Sequence, residues 1–525
     1  RMTPTVTRNV LFVMCDQLRA DVLSCYRPGG ALQTPHIDRL AAMGVRFDRA
    51  HVSSAVCGPS RASYYTGRYP VSHRVTWNRV PMPIDEWSLG DYLAQHGREC
   101  HLLGKTHFVP DARGLKPRGL EVSGAAAVRF RQGGFTPIER YDGHFEMHAD
   151  SPYRQHLLAR GYQSDRPWED YVIGSLDQDG ALASGWYLRN AGLPARVDRR
   201  DSETAYLTDR AIDFIRARGD TPWTLHLSYI KPHWPYKAPA PYHAMFGPAD
   251  CAPPVRSEQE RSHAHPVQAA YQKHEESEAF AHDEAWQTIK PDYLGLVKQI
   301  DDEFGRLLDV LDAAGRMQDT LIVFSSDHGD HLGDHWLGEK EVFFDSAMRV
   351  PLIVYDPDAR AAATRGTVSK QFAECVDVVP TILDALGILP PSQRIEGQSL
   401  LPWLRGETTD TLREITVGTL DYAYREARQT LGRDVNESHG TMVRDVRYKL
   451  MLWQGYRPQL FDLHDDPHEL HDIGNDPAKA PVQRRLRDAL EAWHLRRRQR
   501  ATESDAEVAQ RTHAHERMMN ILIGR

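Results

Sequence analysis

Paired cysteines, long apolar runs and a surplus of basic charge are all missing from this chain of 525 residues, and each shortage closes off a class of protein. Its six cysteines (Cys15, Cys25, Cys57, Cys100, Cys251 and Cys375) are scattered, with no C-x-x-C among them. That fits a reducing compartment better than a disulfide framework. No apolar stretch approaches the ~20 residues that a membrane helix needs, so no membrane partner is expected. The 64 basic residues against 72 acidic give a net charge of −8, which argues against a nucleic-acid surface. No charged segment with an apolar core and cleavage site opens the chain, and no internal repeat occurs. A cytoplasmic location is the expectation, with a periplasmic one left open by an excised leader.

What is present alternates between strands and helices. Asn9–Cys15 is a nearly continuous apolar run ending in Asp16, the pattern of a strand buried on both faces, as in a parallel sheet. Thr221–Ile230, Thr320–Ser325 and Val350–Tyr355 have the same character. Ser202 is placed to cap a helix through about Arg218, with Ala205, Ile212 and Ile215 on its apolar face. Val297, Ile300, Phe304, Leu307, Leu308 and Leu311 recur at helical spacing and stop at Gly315. The alternation predicts an α/β fold: a large, mostly parallel sheet sandwiched by helices, over residues 1–389. Residues 247–290 lack clear periodicity and are expected as an insertion or lid.

After a helical segment at Val376–Leu386, Pro390, Pro391 and Gly397 mark a boundary. A smaller α+β domain is expected over 390–500, with antiparallel strands at Ile415–Leu420, Val446–Trp453 and Gln459–Leu463 and a helix near Pro481–Arg500. Residues 501–525 form a tail whose apolar Met518–Ile523 could dock on a neighbouring subunit. That tail is the ground for expecting a homo-oligomer, a dimer or tetramer.

The chemistry concentrates at three places. Cys57-Gly58-Pro59-Ser60-Arg61 is the pattern Cys-x-Pro-x-Arg, read by the enzyme that oxidises one cysteine to Cα-formylglycine. The competing readings are a turn with a buried thiol and a tyrosine-phosphatase loop. The phosphatase loop separates its cysteine and arginine by five residues, where this one has three. Asp16 and Gln17 end one strand, and Asp327 and His328 end another. Ligands of open α/β sheets bind at the carboxyl ends of strands, so the two pairs could hold one divalent ion. Carboxylate and amide oxygens suit Ca2+, Mg2+ or Mn2+, and the imidazole tilts the balance toward Mn2+.

The stretch Cys57–Gly67 resembles the signature of the formylglycine-dependent sulfatases and their relatives, the phosphonate monoester hydrolases, within the alkaline phosphatase superfamily. Thr34–Phe47, Gly104-Lys105-Thr106-His107, Lys231-Pro232-His233-Trp234-Pro235, Gly338-Glu339-Lys340 and Leu460-Phe461-Asp462-Leu463 are similar to further family segments, in order. The resemblance implies an alkaline phosphatase-like fold and one divalent ion, Ca2+ or Mn2+. Asp16, Gln17, Asp327 and His328 would ligate it, with an oxygen from formylglycine at position 57. Arg61 would hydrogen-bond the formylglycine hydrate, and Lys105 and Lys340 would bind the ester oxygens. His107 would take a proton from the hydrate, and His233 would lie near the leaving group. Asn78, 21 residues after Cys57, resembles an active-site asparagine of the phosphonate hydrolases.

A sulfate monoester carries one negative charge while charge builds on its leaving oxygen, so a preorganised cationic cradle is the right catalyst. An aldehyde hydrate is preferable to serine because its second hydroxyl can expel sulfate from the sulfo-enzyme hemiacetal by C–O cleavage. The expected function is therefore hydrolysis of a small anionic ester, sulfate first, after maturation by a formylglycine-generating enzyme. Phosphonate monoesters and phosphodiesters compete directly. Lys105 and His107 lean toward sulfatases, while Gln17 and the Asn78 spacing lean toward phosphonate hydrolases. A metal-dependent phosphomonoesterase would want a Ser or Thr nucleophile and a second metal cluster. An unconverted, metal-binding relative without turnover is the non-enzymatic reading.

Overall fold

The apolar run near the amino end forms strand β1 (Asn9–Asp16), buried along its whole length. The computed structural model describes residues 7–124, 127–143, 147–497 and 500–512. Val10, Phe12 and Met14 of β1 enter one apolar cluster, and Leu11, Val13 and Cys15 enter another, because successive strand residues face opposite ways. The sheet continues through β2 (Val45–His51), β3 (Cys100–Gly104), β4 (Thr136–Arg140), β5 (Thr224–Pro232), β6 (Thr320–Ser326), β7 (Leu352–Tyr355) and β8 (Thr367–Glu374). Their order is β8-β2-β7-β6-β1-β5-β3-β4. Every neighbouring pair is parallel except those of β7, which runs antiparallel to both β2 and β6. The fourth apolar run is thus a strand, but a reversed one. β5 opens at Thr224 instead of Thr221, because the Thr221 amide closes a turn onto Arg218 O.

Helices α1 (Pro35–Met43), α3 (Glu203–Arg218) and α4 (Asp283–Ala313) cover one face; α2 (Cys57–Thr66) and α5 (Val378–Ala385) cover the other. Ser202 Oγ caps α3 by accepting from the Ala205 amide at 3.4 Å. α4 begins well before Val297, and its Asp301 accepts from the His36 and Ile37 amides, at 3.0 and 2.9 Å, capping α1. Between β5 and α4, short helices at Glu258–Ser262, Pro266–Tyr271 and Glu275–Glu278 interrupt the stretch read as an insertion. Its Val267, Ala270 and Tyr271 are buried in the same cluster as the second sheet.

That second sheet is an antiparallel meander of β9 (Thr416–Asp421), β10 (His439–Arg444), β11 (Tyr448–Trp453) and β12 (Gln459–Asp462). α6 (Ala480–Leu495) buries Leu486, Leu490 and Trp493 in the cluster these strands share. The apolar tail Met518–Ile523 lies outside the described residues. Among the described residues, no helix is long and apolar enough to cross a membrane.

Candidate active site

Register between β1 and β6 builds the floor of the site. Cys15 pairs with Ser326, the Asp327 amide donates to Cys15 O at 3.2 Å, and the Gln17 amide donates to Asp327 Oδ1 at 3.1 Å. Asp16 and Asp327 therefore leave adjacent strand ends side by side, both fully buried. His328 Nε2 lies 3.7 Å from Asp16 Oδ1 and from Asp327 Oδ1. Its Nδ1 is 2.8 Å from Gly329 O, which can only accept, so Nδ1 carries a proton and Nε2 is the ring nitrogen turned toward the carboxylates. Cys57 begins α2, with Sγ 3.1 Å from His328 Nε2. Ligand atoms of Asp16, Cys57, Asp327 and His328 all lie within 4.8 Å of one another. This oxygen-rich set with one imidazole fits a hard or borderline divalent ion.

Cationic groups close over that floor. Arg61 donates to Asp327 Oδ2 at 2.7 Å, Asp16 Oδ2 at 3.1 Å, Lys105 O at 2.7 Å and Ser228 Oγ at 2.8 Å. Its hydrogen bonds thus lock the two carboxylates and the Lys105 backbone. Lys105 Nζ sits 2.6 Å from Asp16 Oδ2. Lys340 Nζ donates to Gln17 Oε1 at 3.1 Å and to His233 Nε2 at 2.9 Å. His107 is near enough to help lower the Cys57 thiol, and its own Nδ1 is buried without a partner. Asn78 Oδ1 accepts from the Gly58 amide at 2.7 Å. A Cβ at Gly58 would lie 3.1 Å from that oxygen, so glycine lets the Asn78 loop approach. All the residues singled out from the sequence meet here.

Electrostatics follow from this crowding. Burial pushes the Cys57 thiol up, but Lys340, Lys105 and His328 pull it well below its usual value. Burial and Cys57 push Asp16 up, while Lys105, His233 and Arg61 hold it well below the usual carboxylate range. Burial raises the Asp327 carboxyl; Arg61 lowers it, and Asp16 adds a further upward push. Two buried carboxylates in contact are the environment that a divalent cation relieves. Burial lowers His328, yet Asp327 and Cys57 carry it up to about 9. Burial and Lys340 bring His233 down to about 3.

Three participants escaped the sequence reading. Asp330 Oδ2 accepts from Gln17 Nε2 at 2.6 Å and from Tyr236 OH at 2.7 Å, which aims the Gln17 oxygen at Lys340. Asp142 Oδ1 accepts from the Thr106 amide at 2.8 Å and steadies the turn between Lys105 and His107. The signal for Asp330 was present, as the last acid of Ser-Ser-Asp-His-Gly-Asp; Tyr236 and Asp142 had none.

The family described as Sulfatase matches residues 8–388, and one described as N-sulphoglucosamine sulphohydrolase, C-terminal, matches 333–496. The chain is 33% identical over 513 residues to the multifunctional alkaline phosphatase superfamily protein PehA of Trinickia caryophylli, covering 93% of this chain and 95% of that one. It is 27% identical to an arylsulfatase of Clostridium perfringens, covering 89% and 90%. The structure is similar to phosphonate monoester hydrolases of Silicibacter pomeroyi (TM-score 0.82, 31% identity, 94% and 96% covered) and Agrobacterium radiobacter (TM-score 0.81, 28% identity, 93% and 96% covered).

Proposed function

Because the chain belongs to the sulfatase family, we propose that it hydrolyses singly charged tetrahedral esters, sulfate monoesters first, from a formylglycine made at position 57. The observation that carries this reading is the placement of Lys105 on Asp16, 2.6 Å away, with Cys57 3.1 Å from His328 over the same carboxylates. Asp16, Gln17, Asp327 and His328 would hold one divalent ion, Ca2+ or Mn2+, which when bound supplies Lewis-acid charge at the reacting centre. Formylglycine supplies a geminal diol, with one hydroxyl to attack the ester and a second to release the acid product.

The chain's own residues then divide the work. Arg61 fixes both carboxylates. Lys105 and Lys340, 5% and 8% exposed, donate charge-assisted hydrogen bonds to the ester oxygens where little water screens them. His107 takes a proton from the atom at position 57. His233 donates from Nδ1 to Trp234 O at 2.6 Å and so presents Nε2 as an acceptor to Lys340. The proton for the departing oxygen accordingly rides on Lys340 Nζ.

A second reading, phosphonate monoesters or phosphodiesters as main substrates, is favoured by Asn78 on Gly58 and by the likeness to phosphonate monoester hydrolases. The test uses metal-defined protein whose conversion is verified by an intact mass about 18 Da below the thiol form. We expect kcat/KM for an aryl sulfate to exceed that for the matching aryl phosphonate monoester. The opposite ranking reverses the order, and turnover of neither ester by converted protein removes the reading.

A further inference from the structure

Lys340 sits in a strained stretch of backbone. Glu339, Glu341 and Val342 have φ of 54°, 81° and 47°, in the left-handed region that side-chain-bearing residues avoid, valine above all. Such conformations persist only where their surroundings impose them. Several contacts act on Glu341, among them His331 Nε2 at 3.1 Å from its carbonyl oxygen. The Glu341 amide donates to Ala55 O at 3.1 Å, two residues ahead of Cys57. Its buried carboxylate lies 3.1 Å from Arg425 Nε. Arg425 belongs to the turn that follows β9, pairs with Glu276 and donates to His274 Nδ1 at 2.8 Å.

The turn carrying Arg425 is also anchored on the loop that holds Gly58. Asp421 Oδ2 accepts from Thr76 Oγ1 at 2.8 Å. The Tyr424 ring stacks on Trp77 with centroids 5.9 Å apart and planes 8° from parallel. Trp77 precedes Asn78, which itself holds Gly58. One short segment of the second sheet therefore spans from the Asn78 loop to the Lys340 loop.

We propose that Arg425 is a positioning residue of the ester cradle: it fixes the strained segment through Glu341 and thereby sets where the Lys340 ammonium lies. This inference rests on the reading of Lys340 as an ester-binding group. Arg425 touches neither Lys340 nor the reacting atoms. Its effect is geometric, and placement matters because a lysine on a flexible stem acts as a point charge whose value falls with each misplaced ångström.

The test pairs Arg425→Ala and Arg425→Lys with the wild-type and Lys340→Ala backgrounds. In the wild-type background Arg425→Ala lowers kcat by about 10- to 100-fold, and Arg425→Lys restores part of it. In the Lys340→Ala background the same change costs less than about twofold, because no ammonium remains to be misplaced. Hydrogen exchange of the peptide around Lys340, which needs no turnover, rises in Arg425→Ala and not in Lys340→Ala. Equal losses in both backgrounds, or unchanged exchange, overturn the proposal. A wild-type protein without ester turnover instead overturns the functional reading and leaves the exchange measurement to judge the positioning role.

Discussion

His233 shows how far a single side chain's chemistry follows from its neighbours. Burial and the Lys340 ammonium bring it down to about 3, and Nδ1 is committed to Trp234 O. From pH 5 upward it is neutral, an acceptor and not a proton donor. His233→Asn is therefore expected to lower kcat/KM by about 10- to 100-fold without changing the shape of the pH–rate profile. If instead an acidic limb near pH 6 disappears in the variant, His233 titrates in the working range and Lys340 is not the sole proton carrier. Asp16, Cys57, Lys105 and Asp327 were legible in the sequence because they sit at strand ends or at a helix start within contiguous motifs. Tyr236 and Asp142 were not. They reach the site only because the chain folds back, Tyr236 Oη onto Asp330 and Asp142 onto the Thr106 amide.

At the scale of elements, the turn out of β3 decides where Lys105 points. Gly104 has φ of 97°, and a Cβ there would lie 1.9 Å from Ser228 O on the neighbouring strand. Gly97 is also left-handed, with φ of 67°, but a Cβ there would meet nothing within 4 Å. Gly97→Ala should cost only the strain of a left-handed alanine, about 1 kcal/mol. Gly104→Ala adds a backbone clash, should cost more than about 3 kcal/mol, and should abolish turnover by shifting Lys105. Denaturant melts of both variants check this, and equal destabilisation would mean that β3 and β5 separate at little cost. Apolar runs and the Ser202 cap made β1, β6 and α3 readable, since both signals are local. The direction of β7 was not, because a strand buried on both faces shows the same run whichever way it travels. β10 escaped as well: His439–Arg444 mixes Gly440 with polar residues and becomes a strand through pairing with β9 and β11.

Across the whole molecule, the two sheets share one interior. Phe12 and Val323 of the large sheet and Met442, Leu450 and Leu460 of the small one belong to a single buried cluster, a long-range property that no sequence window displays. A buried ionic group reinforces the seam. Lys449 Nζ of β11, fully buried, lies 2.6 Å from Asp345 Oδ1 and 2.5 Å from Glu469 Oε1. Arg444 Nη1 lies 2.8 Å from Asp345 Oδ2, whereas Lys449 is the one cation within ion-pair distance of Glu469 among the described residues. Breaking a buried ion pair from one side leaves an uncompensated charge in a low-dielectric interior, at a cost of about 3–5 kcal/mol. Lys449→Met keeps the apolar stem and removes only the charge. Because the cluster is continuous, that loss should not melt the small sheet alone. Calorimetry of Lys449→Met should show a single endotherm displaced to lower temperature, with loss of activity following the same curve. A low-temperature shoulder that leaves activity intact would mean that the small sheet unfolds separately, and that the shared interior is a contact surface instead of a common core.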